Sequence, residues 1–296
     1  MSLMLSRDFF LDRYEELGWR FRKPEVKQSI RVNSANAERE EVIARLEAQG
    51  VRLNKISFLE EGYWVAKSKF SLGATPEYLL GLYSIQEAAA QIPVTLFSKI
   101  EGSHVLDACA APGGKTVQLA NLMKNTGVIV ALDVKPRRLV ALSNHLERCH
   151  VENTIVYMLD ARKSSRLNVK FDRILLDVPC SGNFATDPGW FNRRTIKDVE
   201  RHVRLQRKII AEALQTLSDD GEIVYSTCSL EPEENEFNIH WAVKNLDAEV
   251  VPVKCFGEKA STNIFGVELD DSIADCRRIW PGNTQGFFVC KLRKRS

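Results

Sequence analysis

The sequence predicts an α/β chain: a mostly parallel sheet with helices on both faces, entered through a smaller α/β module at the N terminus. Three observations carry that prediction. From residue 104 onward, apolar runs of strand length alternate with stretches of helical spacing, the pattern of a parallel sheet. Four strands end on or just before residues capable of chemistry (Asp107, Asp133, Asp177 and Cys228), and in open parallel sheets ligands sit outside the carboxyl ends of strands. The first of these strands runs through two glycines straight into a helix start.

The elements follow in order. Residues 7 to 22 carry a helical pattern around Phe9, Phe10, Tyr14 and Leu17, in a basic setting of Arg13, Arg20, Arg22, Lys23 and Lys27. Ile30-Arg-Val32 reads as a strand, and Ser34 is suited to cap a helix over Glu38 to Gln49, which Gly50 ends. Strand-like runs follow at 51–53 and 63–65, completing a module of the split βαβ kind. Such modules bind RNA or serve as docking domains, and pattern alone leaves both open. A helix over Ser84 to Pro93 leads into the main domain, with the boundary between 80 and 81 (residues 1–80 and 81–296). Strands are expected near 104–108, 128–133, 154–158, 173–177 and 222–227, with helices near 114–123, 136–149, 195–217 and 233–245. Gly286 to Leu292 reads as a last, antiparallel strand before a basic end.

Composition narrows the class. A chain of 296 residues, 44% of them hydrophobic, can bury one sizeable core and a satellite. A formal net charge of +2 leaves nucleic-acid binding to be decided by local clustering. No apolar run approaches the ~18 residues of a membrane span, and Met1 to Arg7 is too short and too soon charged for a signal peptide. Seven cysteines without regular C-x-x-C spacing argue against a disulfide framework and a structural zinc site. The expectation is a cytoplasmic protein with reduced thiols and no metal, Cys255 and Cys276 being the pair to check for a bridge. Cys109, Cys149 and Cys290 read as small buried hydrophobes.

The stretch Val105 to Thr116 is a strand, tight turn and helix start, which lets a helix N-terminus approach a nucleotide-like ligand. About 20 residues after the glycines, the strand Val128 to Asp133 ends in an acid, the offset at which an acid holds ribose hydroxyls. The glycines alone fit any α/β turn; with Asp133 they favour a cofactor site. A P-loop needs a glycine where Cys109 stands, and Pro112 removes an amide that its cradle would use. The dinucleotide fingerprint G-x-G-x-x-G is absent as well. An adenosine ligand without pyrophosphate remains, and S-adenosylmethionine fits.

Two further motifs present thiols. Leu176-Asp-Val-Pro-Cys-Ser-Gly182 carries Asp177 and Cys180 at a strand end; Tyr225-Ser-Thr-Cys-Ser-Leu-Glu-Pro-Glu-Glu-Asn-Glu236 carries Cys228 at another. Pro232 suits a first helical position, so a helix is expected just after Cys228. Its amides would stabilise a thiolate, against the opposing charge of Glu231, Glu233, Glu234 and Glu236. Carbon 5 of a pyrimidine becomes nucleophilic once a thiolate adds to carbon 6; it can then take a methyl group, lose its proton and expel the cysteine. Asp177 is placed to hold the ring at N3. Spacing does not say which thiol attacks.

Asp-Ala-Cys-Ala-Ala-Pro-Gly-Gly-Lys-Thr, Asp-Val-Pro-Cys-Ser-Gly and Ser-Thr-Cys-Ser-Leu-Glu-Pro-Glu-Glu-Asn-Glu together resemble the motifs of the Nop/Sun-type (RsmB-like) RNA cytosine-C5 methyltransferases. The resemblance runs from Arg31-Val-Asn33 through Ser84-Ile-Gln86 to Gly286-Phe-Phe288. It implies a class I, Rossmann-like methyltransferase fold with a seven-stranded sheet and an RRM-like N-terminal subdomain, close to archaeal-type tRNA enzymes. It also implies that Cys228 is the nucleophile and that Cys180 assists product release. The S-adenosylmethionine site it implies comprises Cys109, Ala110, Ala111, Pro112, Gly113, Gly114, Lys115, Asp133, Arg138, Asp160 and Asp177. Two departures stand out: Val178 replaces the family's usual Ala, and the wording of Asn183 to Phe191 is its own, which bears on base contacts in that loop.

The segment Trp190 to Lys208 carries seven basic residues and two acids directly after the Cys180 loop, on a helix whose Ile196, Val199, Val203, Ile210, Leu214 and Leu217 form an apolar face. A solvated helix face is the plain reading; beside two thiols that must reach a nucleobase, phosphate contact is favoured. The expected reaction is methyl transfer to cytosine C5 in structured RNA, with tRNA the main substrate and ribosomal RNA the alternative. DNA methylation through Cys180, and a non-catalytic RNA-binding factor, are the competing readings.

Overall fold

The computed structural model describes residues 7–295, so the expectation about the extreme N terminus lies outside the described residues. The first elements are α1 (Arg7–Glu16), β1 (Ser29–Val32), α2 (Arg39–Ala48), β2 (Arg52–Lys55), β3 (Gly62–Lys67), α3 (Pro76–Leu79) and β4 (Tyr83–Ile85). The four strands form an antiparallel sheet in the order β2-β3-β1-β4. Val42 and Leu46 of α2 pack on Ile30, Val32 and Tyr83, as their helical spacing requires.

Two local expectations change. Glu38, not Ser34, stands at the N-cap of α2, because the chain first makes a turn closed by the Asn36 amide on the Asn33 carbonyl. Ser84 starts no helix; it pairs with Arg31 in the sheet, and the helix begins at Ala88, where the Glu87 side chain accepts from the Ala90 amide. The first sheet therefore reaches Ile85, past residue 80.

The second sheet is built from β5 (His104–Asp107), β6 (Val128–Asp133), β7 (Thr154–Met158), β8 (Phe171–Asp177), β9 (Leu217–Thr227), β10 (Ala248–Val251), β11 (Glu258–Lys259), β14 (Arg277–Ile279) and β15 (Phe287–Lys294). The helices around it are α4 (Ala88–Thr95), α5 (Gly114–Leu122), α6 (Pro136–Arg148), α7 (Trp190–Arg193), α8 (Ile196–Thr216) and α9 (Glu236–Asn245). A two-residue hairpin pair, β12 (Asn263–Ile264) and β13 (Val267–Glu268), stands apart.

Strands β5 to β9 are parallel, and β15 runs antiparallel beside β9, as the tail pattern predicts. Among the described residues the sheet has nine strands where seven were expected. Strand β15 is long enough to share its edge: Phe287 to Val289 pair with β14, which carries β11, and Lys291 to Lys294 pair with β10. Leu106, Leu176 and Ile223 face Ile210 and Ile239 of α8 and α9, while Val105, Leu175 and Val224 face Leu119 of α5. Such two-sided burial is why these strands read as continuous apolar runs.

The chain leaves β5 towards β6 and β7, then returns to lay β8 on the other side of β5. A crevice opens where the direction reverses, and Asp107 and Asp177 end the two strands that flank it. Among the described residues no helix is long and apolar enough to cross a membrane.

Candidate active site

On one side of the crevice lies the glycine turn. Gly113 caps α5 with φ 103°, and a Cβ there would lie 2.9 Å from Leu142 and 3.3 Å from His145. Both the backbone and the space demand glycine. Asp133 ends β6 with Oδ1 accepting from the Lys135 amide (2.9 Å) and Oδ2 paired with Arg138 (3.1 Å). Arg138 also donates to the Ala111 carbonyl, tying the acid to the turn. Asp160 follows β7, and its hydrogen bonds from Arg162 hold the carboxyl below its ordinary range. Burial first, then the charges of Asp107, Asp177 and Asp133, push the Cys109 thiol well above an ordinary cysteine.

Asp107 is the residue whose condition sequence reasoning missed. Its Oδ2 accepts from the Thr116 hydroxyl (2.8 Å), its buried Oδ1 has no partner among the described residues, and burial raises it to about 7. An unpartnered buried carboxylate oxygen beside the turn, together with Asp133 at the next strand end, fits a cofactor that brings a ribose and a positive charge.

On the other side lie the thiols. Asp177 Oδ2 accepts from Lys115 Nζ (2.7 Å) and Oδ1 from the Ser226 hydroxyl (2.8 Å), which joins the glycine turn to the strand bearing Cys228. The Cys180 and Cys228 sulfurs are 3.2 Å apart, and both residues are partly exposed. The hydrogen bond with Cys228, and then burial, push the Cys180 thiol well above the ordinary range, and either sulfur can be the donor. Asn183 donates to the Cys228 carbonyl (2.6 Å) and to the Gly286 carbonyl (3.2 Å). All seven cysteines are free, including Cys255 and Cys276.

The expected helix start behind Cys228 is not there. Residues 232–235 form a turn, and α9 begins only at Glu236. Asn235 is held out of helical geometry (φ −112°, ψ −101°) because its side chain accepts from Thr227 (2.6 Å) and donates to the Ser229 carbonyl (3.0 Å). The neighbouring acids do not crowd the sulfur with charge either. Glu231, raised to about 7 by burial, accepts from Tyr14 (2.5 Å) and Arg13 (3.3 Å); Glu233 pairs with Arg13 (2.6 Å) and Glu236 with Arg278. Glu234, fully buried, accepts from the Ser181 amide (3.1 Å), Ser229 (3.0 Å) and Gln206 (2.7 Å), so one carboxyl clamps the residues following both cysteines.

The loop with its own wording, 183–191, packs inward. Trp190 donates to the Ser181 carbonyl (2.9 Å) and meets Phe10 of α1 edge-on at 4.7 Å, while Phe184 stacks on Phe191 at 4.8 Å. Beyond it, Lys197, Arg201, Arg204 and Lys208 line one exposed stripe of α8, and Val199, Ile210 and Leu214 are buried. Arg207 is turned inward over Trp241 at 5.0 Å.

Comparison with known proteins agrees with this layout. The family model described as 16S rRNA methyltransferase RsmB/F matches residues 94–293, and that of the N-terminal domain of 16S rRNA methyltransferase RsmF matches residues 6–88. The chain belongs to this RsmB/F family. Within it, the chain is similar to the 28S rRNA (cytosine-C(5))-methyltransferase of Mus musculus, 36% identical over 90% of this chain and 35% of the relative. It is similar along nearly its whole length to the tRNA (cytosine(49)-C(5))-methyltransferase of Pyrococcus abyssi, 34% identical over 98% of this chain and 95% of the relative. The chain spans about a third to just under half the length of several of its ribosomal RNA relatives. Among solved structures, a methyltransferase homologue from Pyrococcus horikoshii superposes with a TM-score of 0.88 at 40% identity, covering 98% of this chain and 96% of that one. NSun6 from Pyrococcus horikoshii, solved with SFG, superposes with a TM-score of 0.81 at 25% identity, covering 96% and 94%. The family's fold, a mixed α/β sheet with an N-terminal subdomain, is the fold described above.

Proposed function

We propose that this chain methylates cytosine C5 in structured RNA, using S-adenosylmethionine and a covalent cysteine adduct, as a cytoplasmic enzyme. The observation that carries the reading is the 3.2 Å sulfur pair beside Asp177 at the crevice between the strand ends. The turn Cys109 to Lys115, Asp133, Arg138, Asp160 and Asp177 would hold the cofactor, which supplies an electrophilic methyl group. The family neighbour solved with SFG, an S-adenosylmethionine analogue, supports that choice.

The Cys228 sulfur adds to C6 of the ring, and the ring electrons released to C5 take the methyl group. Water takes the C5 proton, and the electron pair left behind restores the ring double bond and expels Cys228 as the thiolate in which it attacked. Cys180, 3.2 Å from the departing sulfur, assists its release. Asp177, fixed by Lys115 and Ser226, faces the ring edge. The full-length similarity to a tRNA methyltransferase supports tRNA as substrate; the ribosomal RNA relatives make ribosomal RNA the second reading. The base reaches the sulfur by leaving its stack.

The test is a pair of variants incubated with S-adenosylmethionine and transcribed tRNA. Cys228→Ala transfers no methyl group, whereas Cys180→Ala accumulates a protein–RNA band on a denaturing gel. The reverse pattern would assign the attack to Cys180, and wild-type turnover in both would end the covalent mechanism. Bisulfite sequencing of cellular RNA with and without the protein separates tRNA from ribosomal RNA.

A further inference from the structure

We infer that the cleft between the strap 19–25 and the loop 280–283 holds the phosphodiester backbone of the RNA strand flanking the target base, an assignment that rests on the RNA reading above. After α1 the chain runs extended, and its Glu25 and Lys27 amides donate to the carbonyls of Gly282 (3.1 Å) and Asn283 (2.9 Å). The strap and loop enclose a cleft of about 700 Å³, with Arg20, Arg22 and Lys23 in its lining against Glu25 and Glu258. All three cations are exposed, and among the described residues Arg20 pairs with the exposed Glu15 at 3.6 Å, a contact that contributes little in water.

The aromatic part of the lining is Trp19, only 9% exposed, and the partly exposed Trp280, stacked on each other at 5.5 Å with planes 11° apart, which leaves Phe21 as the exposed ring beside the cations. Phe21, 40% exposed, lies edge-on to Trp19 at 6.0 Å. Cations beside aromatic faces are what single-stranded nucleic acid binds, phosphates on the first and bases on the second.

The cleft's position strengthens the assignment. From it an aromatic column runs Trp280, Trp19, Phe184, Phe191, with Phe184 5.9 Å from Trp19 and 4.8 Å from Phe191. Phe184 belongs to the loop between Cys180 and α7, whose Asn183 holds the Cys228 carbonyl. Beyond Phe191 begins the basic stripe of α8. The aromatic column thus links the strap and its cations to the thiol loop, and α8 with its basic stripe follows α7 in the chain. A strand laid across the loop presents one nucleotide to Cys228 and its neighbours' phosphates to both sets.

The strap side is tested by Arg20→Glu/Arg22→Glu/Lys23→Glu. RNA affinity is expected to fall 10-fold or more at 0.15 M salt, with the slope of log affinity against log salt shallower by about 2 to 3 (order of magnitude). Cofactor affinity by calorimetry, melting temperature and turnover at saturating RNA stay as in the wild type. Gly282→Glu charges the opposite wall, where a Cβ meets nothing within 4 Å, and is expected to weaken RNA binding in the same direction. Wild-type RNA affinity and salt slope in both variants, with methylation intact, would overturn the cleft and leave the proposed reaction standing. A wild-type protein that binds no RNA would overturn both.

Discussion

At the scale of single residues, the crevice gathers groups whose ordinary behaviour the fold has altered. The Cys180 thiol is pushed well above its ordinary range by the hydrogen bond with Cys228 and by burial. Asp107 is raised to about 7 by burial, from an ordinary carboxylate value near 4 in the unfolded chain. Protonation of Asp107 therefore favours the folded chain; that contribution is complete below about pH 4 and is lost as pH rises through about 7. Asp107→Asn keeps an acceptor for Thr116 and removes the titration. Its melting temperature, followed by calorimetry from pH 5 to 8, should fall less steeply than that of the wild type; parallel curves would refute the assignment.

At the scale of elements, the segment 229–236 is a buried polar hinge rather than the start of a helix. Its acids are spoken for by Arg13, Tyr14, Ser181, Gln206 and Arg278, all distant in sequence. Glu234→Ala would leave the Ser181 amide without its acceptor and would take one bond each from the Ser229 hydroxyl and the Gln206 amide, which keep the Ser181 hydroxyl and the Pro179 carbonyl as neighbours. A loss of about 3 kcal/mol is expected in urea unfolding, since each buried orphan costs about 1 to 3 kcal/mol. Glu234→Gln, which retains one acceptor oxygen, should lose less. Equal stability of Glu234→Ala and the wild type would mean that the clamp does not join the two cysteine loops.

At the scale of the whole molecule, the first sheet is wired into the cofactor turn. Arg31 of β1, which burial lowers to about 9, donates to the Gly114 carbonyl (3.1 Å) and to Asn33 (3.0 Å), while Asn33 accepts from Asn121 of α5 (3.1 Å). Gln86 reaches Gln118 of the same helix (3.3 Å). The N-terminal helix α1 goes elsewhere, onto Phe184, Trp190 and Leu230 beside the thiols. Arg31→Met, of similar bulk, should therefore raise the cofactor Kd about 10-fold, the loss of one charged hydrogen bond of about 1.5 kcal/mol, though it sits on the first sheet. An unchanged Kd by calorimetry would show the two sheets to be independent.

Much of this was legible in the chain alone, because strand period, glycine punctuation and acids at strand ends are local signals. The parallel core, the glycine turn, Asp133, Asp177 and the two thiol motifs were all readable for that reason, as was the antiparallel tail strand. Contacts between residues far apart in sequence leave no such mark. The 3.2 Å approach of Cys180 and Cys228, across 48 residues, arises only when β8 and β9 lie side by side. The orphaned oxygen of Asp107, the turn that replaces the helix start at Pro232, the strands β14 and β11 beyond β15, and the cleft beneath Trp19 and Trp280 were likewise decided by packing. Sequence determined which chemical groups stand at the ends of which strands; the tertiary structure decided how deeply each is buried and which of them meet, because burial and distance belong to the fold.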